Sequence, residues 1–292
     1  MPADRAILFR LATSERLEAA VCAAPLGARL AWRAASRYVA GTTAAAAIQV
    51  AQELQDRGAG SSIDQFGEMI QDTTTAERVT ADYLELAGQV NALPAQTWLS
   101  VDLSHLGLDV DPQGCADRLA AIAARLSDER RIQVGAEDSG RADAVLTCIE
   151  TVARRGLAGR LGATAQANLR RTPGDLEHLG AAGVHIRLVK GAYVEPHDRA
   201  LPYGEPTDIA YLRLAHRLAE SDAQFSLATH DGVLREALLT ALGPRPVEQL
   251  LGVRPTVLDE LVARGIPVRV YVPFGDNWFR YWMRRLAESR GA

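Results

Sequence analysis

The spacing of apolar positions along the chain changes near residue 58. Before it, apolar residues recur every three to four positions over 11–24, 28–40 and 43–58, the spacing of amphipathic helices, and Gly58 is a suitable helix stop. After it, short apolar runs alternate with amphipathic stretches. The pattern predicts a helical segment over residues 1–58 and one structural unit over residues 59–292.

Eight short apolar runs are candidate strands, and those at the first and seventh positions have the weakest pattern. They cover residues 62–68, 97–103, 131–137, 159–168, 185–192, 223–230, 246–252 and 266–275. Helical patterns lie between them at 75–90, 115–129, 141–155, 207–221, 232–243 and 254–265, and after the last strand at 277–289.

This alternation predicts an α/β fold with parallel strands and right-handed crossovers, and eight units favour a closed (β/α)8 TIM-type barrel preceded by N-terminal helices. A Rossmann fold has little support, because no glycine-rich dinucleotide motif follows the first strand.

Composition agrees with one folded unit. The 292 residues are 48% hydrophobic and 23% charged, which are ordinary globular values. The net charge is −4 and no basic stripe carries interleaved aromatic residues, so we expect no nucleic-acid partner.

Cysteine usage and the lack of targeting signals indicate a cytoplasmic protein. Cys22, Cys115 and Cys148 are far apart and lack metal-ligand spacing, which predicts core packing in a reducing compartment and no metal site. The chain has no signal-peptide pattern and no apolar run of 18 residues, so we expect no transmembrane segment.

Candidate chemistry lies where the predicted strands end, because function in such barrels is located at the carboxyl ends of the strands. The polar residues at these ends are Glu68, Asp102, Glu137, Asp138, Gln166, Asn168, Arg187, Lys190, Thr229, His230, Glu248 and Tyr271. The last predicted helix adds Tyr281, Arg284, Arg285 and Glu288.

Lys190 is the only lysine of the chain and has three interpretations. It could be a Schiff-base nucleophile, a rim residue in a salt bridge with a carboxylate, or part of a ligand site. Because side chains alternate across a strand, Arg187 and Lys190 face opposite sides, and periodicity does not decide which faces inward. The small residues Gly191 and Ala192 would let a planar or phosphorylated ligand approach the backbone.

Several segments together resemble the proline dehydrogenase family, flavoenzymes that oxidise proline to pyrroline-5-carboxylate. They are "RYVAGTT", "GEMI", "RLVKGAYVEP", "ATHD" and "YVPFGDNWFRYWMRRLAES", which occur in this order between residues 37 and 289. The resemblance implies a distorted (β/α)8 barrel that binds FAD at its C-terminal face. It also implies a small amine or amino-acid substrate, a quinone or another electron acceptor, and at most a peripheral membrane contact.

The resemblance assigns roles to individual residues. Arg187 and Tyr271 are implied as catalytic, with Arg187 near the reactive flavin nitrogen. The implied cofactor contacts are Gln166, Arg187, Val189, Lys190, Gly191, Ala192, Thr229 and His230. The implied substrate contacts are Arg284, Arg285, Tyr281, Tyr193, Asp102 and Leu250. Independently of the family, Tyr281 precedes the arginine pair by one helical turn, and guanidinium groups suit a carboxylate.

Three positions depart from the family pattern. The family carries lysine at Asp102, aspartate at Gly135 and commonly tyrosine at Asn168. An anion in place of a cation changes the local charge by two units, and one unit charge about 4 Å from a carboxylate already contributes on the order of 4 kcal/mol at an effective dielectric near 20. We therefore hypothesise that flavin chemistry is kept while the substrate has changed, either to one with an extra amine facing Asp102 or to a proline unit that is carried on another molecule or lacks the usual carboxylate contact.

Two other functions stay open at this point. A non-catalytic flavin-binding homologue could act as an interaction or carrier protein, which would explain altered pocket charges. A Schiff-base lyase built on Lys190 would leave the arginine and tyrosine matches unexplained.

Overall fold

The computed structural model describes residues 23, 25–67 and 69–289, with backbone only for 25, 280, 284 and 286–289. The predicted helix over 11–24 falls almost wholly outside the described residues, as do Glu68 and the side chains of Arg284 and Glu288. Two helices begin the described chain, α1 (Pro25–Ala35) and α2 (Ala44–Asp56). The Thr43 side chain caps α2 by accepting from Ala46 N, and Gly58 follows its end with φ +80°.

Eight parallel strands form a closed barrel, which confirms the predicted fold. They are β1 (Gly60–Gln65), β2 (Thr97–Val101), β3 (Ile132–Val134), β4 (Leu161–Gln166), β5 (His185–Val189), β6 (Phe225–Ala228), β7 (Val247–Leu250) and β8 (Val268–Phe274). Each strand pairs with the next, and β8 pairs with β1 along the whole length of β1. The first and seventh predicted strands, which have the weakest sequence patterns, are both present as β1 and β7.

Helices follow each of the strands. They are α3 (Thr73–Val90), α4 (Pro112–Arg125), α5 (Ala142–Val152), α6 (Thr172–Ala182), α7 (Glu205–Ala219), α8 (Gly232–Leu242), α9 (Pro255–Ala263) and α10 (Trp278–Ser289). Asp72, Asp111 and Asp231 cap α3, α4 and α8 by accepting bonds from the first-turn amides. Helix α6 has no counterpart among the predicted patterns, because Pro173, Gly174 and Gly180 obscure its apolar spacing.

The barrel is distorted at the seam between β8 and β1. Helix α2 packs against both strands there and so fills the outer-layer position that the last helix would otherwise take. Helix α10 instead crosses the mouth of the barrel, where the Tyr281 ring lies 5.1 Å from that of Phe66, just after β1. Trp278 of α10 also packs edge-on against Trp32 of α1, with ring centroids 5.1 Å apart.

Alternation along the strands separates an apolar outer face from a polar interior. On β5, Ile186 and Leu188 are buried in the apolar core while Arg187 lies inside the barrel. The interior also holds Ser62 and Glu248, both buried. Barrel interiors of this class are dominated by branched aliphatic residues, so a polar interior must be paired by hydrogen bonds to be tolerated.

Two sequence-based expectations concern burial and membranes. Cys115 and Cys148 are buried, as core packing requires, while Cys22 lies outside the described residues. Within the described part of the chain, no helix combines the length and the apolar character that crossing a bilayer demands.

Candidate active site

Arg187 and Glu248 form a buried ion pair inside the barrel, between β5 and β7. Glu248 Oε2 lies 2.6 Å from Arg187 Nη2 and accepts from Nε at 2.7 Å, while Ser226 donates to Oε1. Burial alone would raise the pKa of Glu248, but Arg187 and His185 hold it well below its usual range. The structure thus decides the orientation on β5: Arg187 faces inward with its charge compensated.

Lys190 points away from the barrel interior and lies in a salt bridge at the rim. Its Nζ is 2.6 Å from Asp208 Oδ1 and 2.8 Å from Asp231 Oδ2. Burial would lower the pKa of Lys190, but the two carboxylates together raise it. An ammonium held in this way has no lone pair for attack on a carbonyl, so the arrangement disfavours the Schiff-base hypothesis.

The end of β5 brings backbone close to the mouth. Gly191 has φ +110°, and a Cβ there would lie 2.0 Å from Asn168 Oδ1, so only glycine fits without displacement of Asn168. Asn168 N in turn donates to Lys190 O at 2.9 Å. The adjacent Val189 is half-buried and Ala192 is exposed, so this strand end is open to a ligand.

His230 and Gln166 each present a buried polar atom to which no described residue is hydrogen-bonded. His230 Nε2 accepts from Leu250 N at 3.1 Å, which leaves the proton on Nδ1. Gln166 Nε2 donates to Glu137 O at 2.8 Å. Among the residues that the structure describes, His230 Nδ1 and Gln166 Oε1 have no hydrogen-bond partner.

These atoms fit a polar planar ligand. Burial lowers the pKa of His230 to about 4, and Arg285, Arg254 and Arg235 add to this effect, so the imidazole is neutral and offers one N–H donor. Gln166 Oε1 offers one acceptor at the end of β4, and Thr229 lies next to His230 with its hydroxyl bonded to Asp231 N. Among the described residues, this buried donor and this buried acceptor have no hydrogen-bond partner. They therefore suit a ring with N–H and carbonyl groups, such as a flavin.

Asp64, Tyr83 and Tyr271 form a buried hydrogen-bonded cluster, in which the sequence patterns predict a role for Tyr271 but not for Asp64 or Tyr83. Tyr83 of α3 contacts Asp64 Oδ1 at 2.8 Å, and Tyr271 donates to Asp64 Oδ2 at 2.7 Å. Burial raises the pKa of Asp64 to about 6 against the opposing effect of the two tyrosines. The sequence does contain one sign of this cluster, because Asp64 is an acidic residue within the apolar run of the first predicted strand.

The Tyr83 hydroxyl has further neighbours besides Asp64. The Tyr83 hydroxyl is also 2.9 Å from Ser100 O and 3.2 Å from Gln65 N. A hydroxyl has one hydrogen, so Tyr83 can donate to only one of its two acceptors. If Asp64 is protonated, it donates to Tyr83, and Tyr83 donates to Ser100 O, which satisfies both contacts.

Asp102 and Gly135 directly follow the neighbouring strands β2 and β3. Gly135 N donates to Val101 O at 2.8 Å and so continues their pairing. Asp102 Oδ1 lies 1.8 Å from the position that a Cβ on Gly135 would take. A side chain at position 135 and the Asp102 carboxylate in its present position would therefore exclude each other.

Aromatic rings cover the β8 side of the mouth. The rings of Tyr271 and Tyr281 are 6.1 Å apart, and the Arg285 guanidinium carbon lies 5.0 Å from the Tyr281 ring centroid. Tyr193 lies farther out, is 39% exposed, and donates to Ala136 O at 2.8 Å. Leu250 is half-buried at the end of β7. For Arg284 the structure describes backbone alone.

Comparisons with known proteins agree on one family. The family model described as "Proline dehydrogenase" matches residues 47–292. The proline dehydrogenase of Deinococcus radiodurans is 31% identical over 271 residues, covering 88% of this chain and 87% of that protein. Proline dehydrogenase 1 of Bacillus subtilis strain 168 is 30% identical over 262 residues, covering 87% and 86%.

Solved structures agree on the fold. A crystal structure of proline utilization A (PutA) from Bdellovibrio bacteriovorus inactivated by N-propargylglycine has a TM-score of 0.83 and 17% identity over 98% of this chain. A mutant PutA from Bradyrhizobium japonicum has a TM-score of 0.74 and 22% identity over 91% of this chain. The chain spans 36% and 32% of these two proteins.

Proposed function

This chain belongs to the proline dehydrogenase family, and on that premise we propose that it oxidises proline or a proline-like amine to an imine with a bound FAD. The family comprises oxidoreductases that act on the CH–NH group of proline. The proposal is supported above all by two buried polar atoms at the carboxyl ends of β4 and β6, Gln166 Oε1 and His230 Nδ1. Neither atom has a hydrogen-bond partner among the described residues.

The cofactor would be held along the ends of β4, β5 and β6. The residues that we assign to it are Gln166, Arg187, Val189, Lys190, Gly191, Ala192, Thr229 and His230. When bound, the flavin supplies the acceptor for a hydride from the carbon next to nitrogen. Lys190 takes part through its backbone, because two carboxylates hold its amine.

Arg187 and Tyr271 are the residues to which we assign catalytic contact. Glu248 fixes the Arg187 guanidinium, so that it presents a rigid donor edge at the bottom of the mouth. Asp64 accepts from the Tyr271 hydroxyl and holds that ring in place. Preorganised groups of this kind need no rearrangement during the reaction.

The substrate would lie between these groups and α10. We assign Arg284, Arg285, Tyr281, Tyr193, Asp102 and Leu250 to this side of the mouth. Arg285 can orient a carboxylate, and the Tyr281 ring can pack on an aliphatic amine ring. From the family resemblance we also propose a quinone or another electron acceptor, and from the cysteine usage a cytoplasmic location.

The first test is the absorption spectrum of the purified protein, followed by anaerobic addition of proline and of cyclic and linear amines. We expect flavin bands that bleach with at least one of these amines, and chromatography of the released cofactor to identify FAD. Arg187→Met is the matched variant and should bleach more slowly. A protein without flavin would overturn the proposal, and flavin bands that no amine bleaches would favour the non-catalytic flavin-binding alternative.

A further inference from the structure

Asn168 places a buried amide oxygen at the mouth of the barrel. The residue lies just beyond β4 and is only 8% exposed. Among the residues that the structure describes, Asn168 Oδ1 has no hydrogen-bond partner. The backbone is fixed on both sides, because Asn168 N donates to Lys190 O at 2.9 Å and Leu201 N donates to Asn168 O at 2.7 Å. A buried acceptor without a partner is costly, and a bound molecule that donates to it would remove this cost.

The pairing of β4 with β5 shows that the Asn168 side chain faces the mouth. Thr164 pairs with Arg187, which points into the barrel. Because side chains alternate along a strand, Gln166 also faces inward, and Asn168 is the next position on that face. Its amide rests on the backbone of Gly191, in the space that a side chain there would fill.

Exposure along the end of β5 shows where a ligand would leave the barrel. Arg187 is buried, Val189 is half-buried and Ala192 is exposed. Gln166 pairs with Val189, and Asn168 lies two residues farther out than Gln166. A ligand that consists of a ring and a chain would therefore place its ring at the depth of Gln166 and its chain past Asn168.

The polar atoms of this face determine which groups the ligand must present. Gln166 Oε1 and Asn168 Oδ1 are two buried acceptors, and His230 Nδ1 is a donor. An oxidised flavin ring carries a single N–H, which can serve only one of the two acceptors. The nearest other donors of the cofactor are the hydroxyls of the chain attached to the ring. A hydroxyl both donates and accepts, so it can pair with either end of the Asn168 carboxamide.

We propose that Asn168 is a further cofactor-binding residue, whose carboxamide binds the hydroxylated chain of the flavin while Gln166 and His230 bind the ring. This inference rests on the proposed function, since it places a flavin in the same mouth. Because backbone hydrogen bonds already hold Asn168, its amide meets the ligand without rearrangement, and the contact contributes to affinity for the cofactor.

The test compares two flavins that share the ring. Riboflavin carries the hydroxylated chain, and lumiflavin has a methyl group in its place. After removal of the cofactor from the full chain, quenching of flavin fluorescence measures the Kd of FAD, riboflavin and lumiflavin, so no turnover is needed. The variants are Asn168→Ala, Gln166→Ala and, as the matched control, Asn91→Ala.

We expect Asn168→Ala to weaken the binding of FAD and riboflavin by about three- to tenfold, the ratio that corresponds to one hydrogen bond, and to leave lumiflavin unchanged. Gln166→Ala should weaken riboflavin and lumiflavin by the same factor, since both carry the ring N–H. Asn91 lies at the opposite end of the barrel, where its side chain bonds Arg125 O at 2.9 Å and Ser127 N at 3.0 Å. Asn91→Ala therefore loses two hydrogen bonds and should leave every Kd unchanged.

Two binding results would overturn the inference. Equal losses for riboflavin and lumiflavin in Asn168→Ala would assign the amide to the ring, and an unchanged Kd for FAD would show that water alone satisfies it. A crystal structure of the FAD-loaded wild type decides independently of any variant. A chain hydroxyl within about 3.2 Å of the Asn168 amide supports the inference, whereas a separation above about 4 Å overturns it.

The outcomes also separate this inference from the proposed function. Flavin that amines bleach, with Kd values insensitive to position 168, would leave the proposed function standing alone. Binding of FAD that depends on Asn168, without bleaching by any amine, would support the inference together with the non-catalytic alternative. A wild type that binds no flavin would contradict both.

Discussion

Glu248 Oε2 lies 2.6 Å from Arg187 Nη2, with the two side chains 4% and 9% exposed. Removing one member of such a pair leaves the other charge buried without compensation, which typically costs about 3–5 kcal/mol. The pair therefore couples the stability of the barrel to the position of the residue that we assign to the flavin.

We expect Glu248→Ala to lower the free energy of unfolding by about 3–5 kcal/mol in urea denaturation. The control is Asp259→Ala, which breaks the exposed 2.8 Å pair between Arg57 and Asp259. Because solvent screens exposed pairs, that change should cost less than about 1 kcal/mol. Equal effects of the two variants would contradict the interpretation of the Arg187 pair.

Asp64 should make the protein less stable as the pH rises from about 4 to about 6. Burial raises its pKa from 3.8 to about 6, so in this window the folded protein keeps a proton that the unfolded chain releases. Relative to Asp64→Asn, which cannot ionise, the wild type should lose on the order of 3 kcal/mol across the window and change little above it. Urea denaturation of both proteins at several pH values measures this difference, and a constant difference would exclude the raised pKa.

His230 should make the protein more stable as the pH rises, which is the opposite of the effect of Asp64. Its pKa is lowered from 6.5 to about 4, so between these values the unfolded chain binds the proton that the folded protein excludes. This contribution to stability rises with pH through the window and is complete above pH 6.5. NMR titration of the His230 ring should show a midpoint near pH 4. A midpoint near the ordinary histidine value would show that the ring is hydrated or moves out of its site.

Lys190 should give no Schiff base. Borohydride added with a panel of carbonyl compounds should leave Lys190 unlabelled in a peptide map, because Asp208 and Asp231 keep its amine protonated. Asp208→Asn together with Asp231→Asn removes both charges and should increase labelling. Labelling of the wild type at Lys190 would restore the lyase hypothesis.

The sequence predicts the barrel well because each buried parallel strand is a short apolar run between helical patterns. It does not show whether Arg187 or Lys190 points into the barrel. Alternation places the two side chains on opposite faces of the strand, but it does not identify the inner face. The ion pair between Arg187 and Glu248 shows that Arg187 points inward. Because the pair joins residues on different strands, the sequence pattern alone cannot predict it.

The contribution of Tyr83 is also invisible in the sequence, because helix α3 brings its hydroxyl to a carboxylate on another element. The steric relation between Asp102 and Gly135 has the same origin: they are far apart in the sequence, and the parallel pairing of β2 with β3, which they directly follow, brings them together.

The edge-on contact of Trp32 with Trp278 ties the helix across the mouth to the first described helix and leaves the barrel wall untouched. Packing of two aromatic rings connects α1 with α10, whereas backbone hydrogen bonds between neighbouring strands connect the strands of the barrel. We therefore expect a partial opening, in which α1 and α10 separate while the eight strands remain paired, to require less free energy than global unfolding. Amides of α10 should then exchange with solvent faster than those of β1 and β8, so that ligands can enter and leave an intact barrel.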